Sequence, residues 1–277
     1  VSTLEIIRKN NTKKGGGVME NRKYTNVLEM HNIEMYFGKV QALRKVNFHV
    51  GVNEIVGLVG DNGAGKSTLV KILTGVITPT RGELFIRGEK IPLRNYSVKK
   101  AHHYGIETVY QDKSLGEKQV LWRNFFLGRQ ITNRFGFIKI NEEKEIARKI
   151  MHETIGFRGV GITVDSTVSK LSGGERQGVA IGRAMHFDAD LIVLDEPTVA
   201  LSLKEVQKVL NFVRRIKESG RACVYISHTI SHVYDICDRF VIIDRGEVAR
   251  EFLKQNISLK ELDECMLNFA NARREVE

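Results

Sequence analysis

Polar and apolar positions alternate along "NIEMYF" (32–37) and "LRKVNFHV" (43–50), then give way to the apolar run "EIVGLVG" (54–60). Period-two alternation predicts strands with one wet face, and a short unbroken apolar run predicts a strand buried on both faces. "KSTLVKILTG" (66–75) follows as a helix, then "TPTRGELFIRGEK" (78–90) reads as a turn and one short strand, with Pro79 and Gly82 as breakers. "GIETVYQ" (105–111) is a further apolar strand. Beyond it the pattern changes. "LWRNFFLGR" (121–129) and "NEEKEIARKIMHETIGF" (141–157) look helical, the second with apolar positions at Ile146, Ile150 and Ile155 and a cap at Asn141. Strand and helix alternate again afterwards: "LIVLDE" (191–196), a helix from Ser202 to Ser219, "ACVYIS" (222–227), a short helix, and a hairpin "RFVIIDRGEVAREF" (239–252) turning at Arg245 and Gly246. "SLKELDECMLNFANARREVE" (258–277) closes the chain as a helix. Such alternation predicts an α/β fold in which helices cover the faces of a parallel sheet.

The 277 residues, 42% of them hydrophobic, suffice for a substantial core. No segment approaches the roughly 18 uninterrupted apolar residues of a membrane span, and the first residues carry no apolar block with a cleavage site. The expectation is a chain neither exported nor membrane-spanning by itself. Residues 1–18 are basic, glycine-rich and without periodicity, and are expected to be a disordered tail. Met19 is an alternative start, because "KKGG" before it can be encoded as a purine run of the ribosome-binding type. The cysteines Cys223, Cys237 and Cys265 are odd in number and lack CxxC spacing, so they read as small hydrophobes in a reducing compartment. The net charge of +10 is compatible with a polyanionic partner, but the excess is scattered over the chain, and no direct nucleic-acid contact is expected.

"GDNGAGKST" (60–68) changes the picture. It fits G-x-x-x-x-G-K-[ST] with a strand before and a helix after. Gly60, Asn62, Gly63, Ala64 and Gly65 would wrap backbone amides around phosphates. Lys66 places a cation on the outer two, Ser67 offers a hydroxyl to Mg2+, and Thr68 continues the first turn. "LIVLDEP" (191–197) ends an apolar strand on Asp195, a second candidate for the metal, followed by Glu196, which is placed to orient or deprotonate a water attacking the terminal phosphate. A second glycine pair, in "LSGGERQ" (171–177), precedes another helix and offers further amides to an anion. One nucleotide-binding chain thus carries two phosphate-binding devices.

The combination of phosphate loop, "LSGGERQ" and "LIVLDEP" resembles the ATP-binding cassette proteins, over nearly everything from Val27 onward. The resemblance implies a P-loop NTPase with a parallel-sheet core, an antiparallel β subdomain and a helical signature subdomain. Residues 19–277 then form one domain, with a core of 27–111 and 185–277 and a helical subdomain of 112–184. It implies ATP and Mg2+ as cofactors and a head-to-tail pair of chains, so that Ser172, Gly173 and Gly174 meet the triphosphate held by the other copy. It also implies roles for single residues: Gln111 at the metal and attacking water, His228 at the terminal phosphate, and Phe37, with Tyr36 the less favoured neighbour, stacking on adenine. Where many cassettes have aspartate after "EPT-x-A-L", this chain has Ser202.

"IVGLVGDNGAGKSTLVKILTGV", "GIETVYQD", "FFLGR" and "EPTVAL" further resemble the ATPases of bacterial monosaccharide importers. That branch implies a homodimer at the cytoplasmic face of the membrane, a separate integral permease and an extracytoplasmic sugar-binding protein. The competing expectation is a non-transport cassette ATPase acting on nucleic acid or the ribosome.

Overall fold

The computed structural model describes residues 24–110, 115–155 and 161–274; the predicted tail and Gln111 lie outside them. The amino-terminal alternation becomes two long antiparallel strands, β1 (Asn26–Phe37) and β2 (Val40–Gly51), joined by a tight turn at Gly38. They continue into a four-stranded antiparallel sheet with β4 (Arg81–Ile86) and β5 (Glu89–Ile91), in the order β2-β1-β4-β5. Gly82 is not a breaker but lies inside β4. A Cβ there would come within 2.8 Å of the Asn32 carbonyl and of Ile33 Cα, where β1 is irregular in register, so only glycine lets the strands approach.

The second sheet has six strands: β10 (Glu247–Leu253), β9 (Arg239–Asp244), β3 (Ile55–Val59), β8 (Ala222–Ile226), β7 (Leu191–Asp195) and β6 (Ile106–Val109), in that spatial order. All pairings are parallel except that of the edge hairpin β9–β10. Its central strands β3, β7 and β8 read as unbroken apolar runs because both faces are covered. Ile55, Val59, Ile192, Leu194, Tyr225 and Phe240 enter one buried cluster, while Val56, Leu58, Val193, Val224, Val241 and Ile243 enter another on the opposite face. The four-stranded sheet and α1 (Lys66–Leu73) close the second face. The helical segments and α6 (Leu203–Glu218), which buries Val206, Val209, Leu210, Val213 and Ile216 at helical spacing, close the first.

Between β6 and β7 the chain is less helical than its sequence suggests. After α2 (Val98–His103) and β6, the expected helix over 121–129 is only α3 (Leu121–Phe125). The chain then makes a small hairpin in which Thr132 bridges Ile138 and Asn133 Oδ1 accepts from the amides of Phe135 and Phe137. Asn141 is not a cap. Helix α4 (Ile140–Lys149) starts after Lys139, whose amide bonds Ile131, while Glu143 accepts the Ile131 amide; the hairpin therefore feeds the helix two residues earlier than the pattern implies. A π-helical turn over Ile150–Ile155 follows. Residues five apart diverge on an α-helix but stack in such a turn, and Ile150 and Ile155 indeed both face Gly182 of α5 (Gly173–His186).

Helix α7 (Ile230–Ile236) and the terminal α8 (Leu259–Arg274) complete the described chain. Among the described residues no helix is long and apolar enough to cross a membrane.

Candidate nucleotide site

The carboxyl ends of β3 and β7 bring the phosphate loop and the acidic pair to one edge of the sheet. In an open α/β sheet that edge is where ligands bind. Gly60, Gly63 and Gly65 have φ of 154°, 76° and 114°, so the loop follows a path closed to most side chains. The crowding differs between them: a Cβ on Gly60 would lie 2.3 Å from the Ile243 carbonyl, while Gly63 has open space around it. Gly65 starts α1 with no side-chain cap and no acidic residue in the first turn, leaving its positive helix end to whatever the loop encloses. Lys66 folds back over the loop and donates to the carbonyls of Gly60 (2.7 Å) and Asp61 (3.0 Å). Ala64 is buried, Ser67 and Asn62 are exposed, and Thr68 is half-buried.

Asp195 ends β7, and burial beside the Glu196 carboxylate pushes its pKa up, while Lys66 and Lys71 pull it back down. Glu196 takes a left-handed backbone (φ 49°), strained for a residue with a Cβ. Its amide is tied to the Ile226 carbonyl of β8 (3.0 Å). The turn carries its side chain to His228, whose Nδ1 lies 3.1 Å from each of the two Glu196 carboxylate oxygens. His228 is 63% exposed, so it faces the open edge rather than the core. Beneath the pair, Thr198 is buried and its Oγ1 lies 3.2 Å from both the Tyr225 hydroxyl and His232 Nδ1, which braces the turn from below.

Phe37 and Tyr36 end β1 and are 50% and 41% exposed. Phe37 pairs with Val40, and two residues on, the Ala42 carbonyl packs against Gly65. The strand pair that ends in the two aromatics thus reaches the start of the loop helix through Ala42. Ser67 and Asp195 supply hard oxygen donors of the type Mg2+ prefers, a hydroxyl and a carboxylate.

The glycine pair of "LSGGERQ" lies elsewhere. Ser172 caps α5 in a full capping box: its Oγ accepts from the Glu175 amide (3.3 Å) and Glu175 accepts from the Ser172 amide (2.9 Å). Gly173 and Gly174 lie under the start of α6. A Cβ on Gly173 would sit 2.5 Å from Leu201 Cδ2, and one on Gly174 2.9 Å from Glu205 Cβ. Ser202, in the place where many cassettes have aspartate, is the N-cap of α6 and donates its hydroxyl to Glu205 (2.8 Å).

Several supporting groups escape sequence reading. Asn124, fully buried, accepts from the Gly116 amide and donates to the Gly116 and Val120 carbonyls, so it fixes the stretch after residue 114. Nothing in one sequence marks it. Glu175 and Glu205 did carry a signal, the Ser-x-x-Glu spacing at 172–175 and 202–205.

The family model described as ABC transporter matches residues 43–199. The xylose/arabinose import ATP-binding protein XylG of Sulfolobus acidocaldarius is 38% identical over 246 residues, covering 89% of this chain and 96% of that protein. The ribose import ATP-binding protein RbsA of Caldanaerobacter subterraneus subsp. tengcongensis is 34% identical over 247 residues, and that of Bacillus subtilis 32% over 239; the chain spans about half of each, 49% and 47%. Among solved structures, a nucleotide-free ATP-binding cassette from an ABC transporter is 25% identical with a TM-score of 0.73, covering 86% of this chain and 94% of the other. A dimeric cassette in a post-hydrolysis state bound to ADP and Pi is 25% identical with a TM-score of 0.69, covering 83% of this chain and all of the other.

Proposed function

This chain belongs to the ABC transporter family, and from that premise we propose that it is the ATP-hydrolysing subunit of a monosaccharide importer, working as a head-to-tail homodimer on a separate membrane permease. The observation that carries the reading is the meeting of Glu196 with His228, 3.1 Å apart, at the sheet edge that also holds the phosphate loop. Sugar as cargo is supported by the names of the xylose/arabinose and ribose import relatives.

In this reading ATP lies on the phosphate loop with its adenine against Phe37. Lys66 exchanges its two carbonyl partners, Gly60 and Asp61, for the outer phosphates. Ser67 and Asp195, with Gln111, would hold Mg2+, which neutralises charge on the phosphates when bound. Glu196 takes the proton of the attacking water, and His228 holds that carboxylate in line while contacting the terminal phosphate. Ser172 and Gly174 of the other copy cap the same triphosphate, so each hydrolysis loosens the pair and releases the permease. An extracytoplasmic binding protein delivers the sugar, and the assembly sits peripherally at the cytoplasmic face of the membrane.

The test is sedimentation of the Glu196→Gln chain with and without ATP, paired with recovery of the tagged chain from detergent-solubilised native membranes. The expected result is an ATP-dependent dimer that co-purifies with a polytopic permease. A monomer at saturating ATP, or co-purification of ribosomal proteins without a membrane protein, overturns the reading.

A further inference from the structure

The start of α5 is already occupied by the chain's own groups. Gly174 donates its amide to Glu205 Oε1 at 3.1 Å, while the second oxygen of that carboxylate accepts from the Ser202 amide (3.0 Å) and hydroxyl (2.8 Å). Glu205 comes from the first turn of α6, thirty-one positions away in the chain, and its backbone is pressed against Gly174, where a Cβ would lie 3.2 Å from Glu205 Cα. No side chain wider than glycine fits there without moving α6.

A carboxylate and a phosphate oxygen ask the same thing of an amide at a helix start: both are anions that accept its N–H along the helix dipole. We propose that Glu205 is a positioning residue that acts as an internal stand-in for phosphate, holding the Gly174 amide until the triphosphate of the partner copy displaces it. This rests on the reading that Gly174 caps the partner's ATP. Both anions cannot share one N–H, and two like charges at that spacing repel. Ser202 gives the displaced carboxylate somewhere to stay: its two bonds to Oε2 persist when Oε1 leaves Gly174. A serine cap at the head of α6 thus makes the exchange local, with no unfolding of the helix. The same side chain joins the turn after Glu196 to the signature helix, so the state of one nucleotide site reaches the other through it.

The experiment measures the ATP-dependent dimer dissociation constant by sedimentation in the full chain carrying Glu196→Gln, with Glu205 intact or replaced by Gln or Ala. Removing the competing carboxylate should tighten the dimer about three- to tenfold, the range for one part-buried charge-assisted hydrogen bond. Ser202→Ala, which leaves Glu205 on Gly174, serves as the comparison and should give no tightening. An unchanged or weaker dimer in Glu205→Gln, or equal tightening in Ser202→Ala, overturns the stand-in while leaving the composite site intact. A chain that stays monomeric at saturating ATP both with Glu205 and without it overturns both. Thermal melting of each variant confirms that the fold survives.

Discussion

The phosphate loop and the signature are both glycine-rich helix starts, yet the protein builds them on opposite principles. In the loop, Gly60, Gly63 and Gly65 are needed for backbone direction, and the helix they start has neither a side-chain cap nor an acid in its first turn. In the signature, Gly173 and Gly174 have ordinary φ values and are needed because Leu201 and Glu205 press on them; that helix has a complete capping box and a second carboxylate on its amides. One helix start carries no cap of its own, and the other is satisfied internally. The difference is the one the proposed composite site would require: one half that binds alone, and another that acts only on assembly.

The sharpest way to break this division of labour is at the open half. Glu196→Gln should lower the rate of phosphate release by about 100- to 10,000-fold, the usual worth of a positioned general base, while nucleotide affinity measured by calorimetry stays within about twofold. Comparable loss of both would mean that Glu196 organises the loop rather than the water. Lys66→Ala should act in the reverse sense, weakening nucleotide binding by about tenfold or more through loss of a charge-assisted contact, as fluorescent-nucleotide titration would read. Unaltered affinity would place the triphosphate away from the loop.

The glycines separate the two principles further. Gly63→Ala meets no atom within 4 Å but forces a left-handed backbone at φ 76°, so it should weaken nucleotide binding with a stability loss of about 1–2 kcal/mol. Gly174→Ala meets Glu205 Cβ at 2.9 Å and should cost about 1–3 kcal/mol of stability, read in a denaturant melt, while nucleotide binding by the monomer is unaffected. If Gly174→Ala instead lowers monomer affinity, the two helix starts are not independent.

How much of this a single sequence discloses follows the same line. The phosphate loop is legible because its residues stand at fixed spacing, close together in the chain and between a recognisable strand and helix. The two covered faces of the six-stranded sheet are legible as well, since unbroken runs such as "LIVL" state burial on both sides. What stays hidden depends on groups distant in the chain. Asn141 looks like a cap, yet the 131–139 hairpin starts the helix earlier. Gly82 looks like a breaker, yet the irregularity of β1 across from it makes glycine a strand residue. "LWRNFFLGR" has helical spacing, but the chain turns away after Phe125 to make that hairpin. Glu205 reads as an ordinary capping-box acid, and only the fold brings it to Gly174.

The smallest effect probes the hinge between the two halves. Ser202→Ala removes the hydroxyl that caps α6 and should cost about 1 kcal/mol, a shift in Tm of about 2–4 °C for a chain of this size. The loss should also depend on pH with a definite sign. The amides of Ser202 and Gly174 and the Ser202 hydroxyl hold the Glu205 pKa down, from 4.5 to about 2. A depressed carboxylate stabilises the fold fully above its unfolded value and loses that contribution as pH falls through its folded one. The Tm gap between wild type and Ser202→Ala should therefore be constant above about pH 5 and shrink between 4.5 and 2, as the bond to a charged acceptor is lost in both chains. A gap that stays constant through that window would mean that Ser202 caps the helix through its own geometry and that Glu205 takes no part, which would also loosen its tie to Gly174.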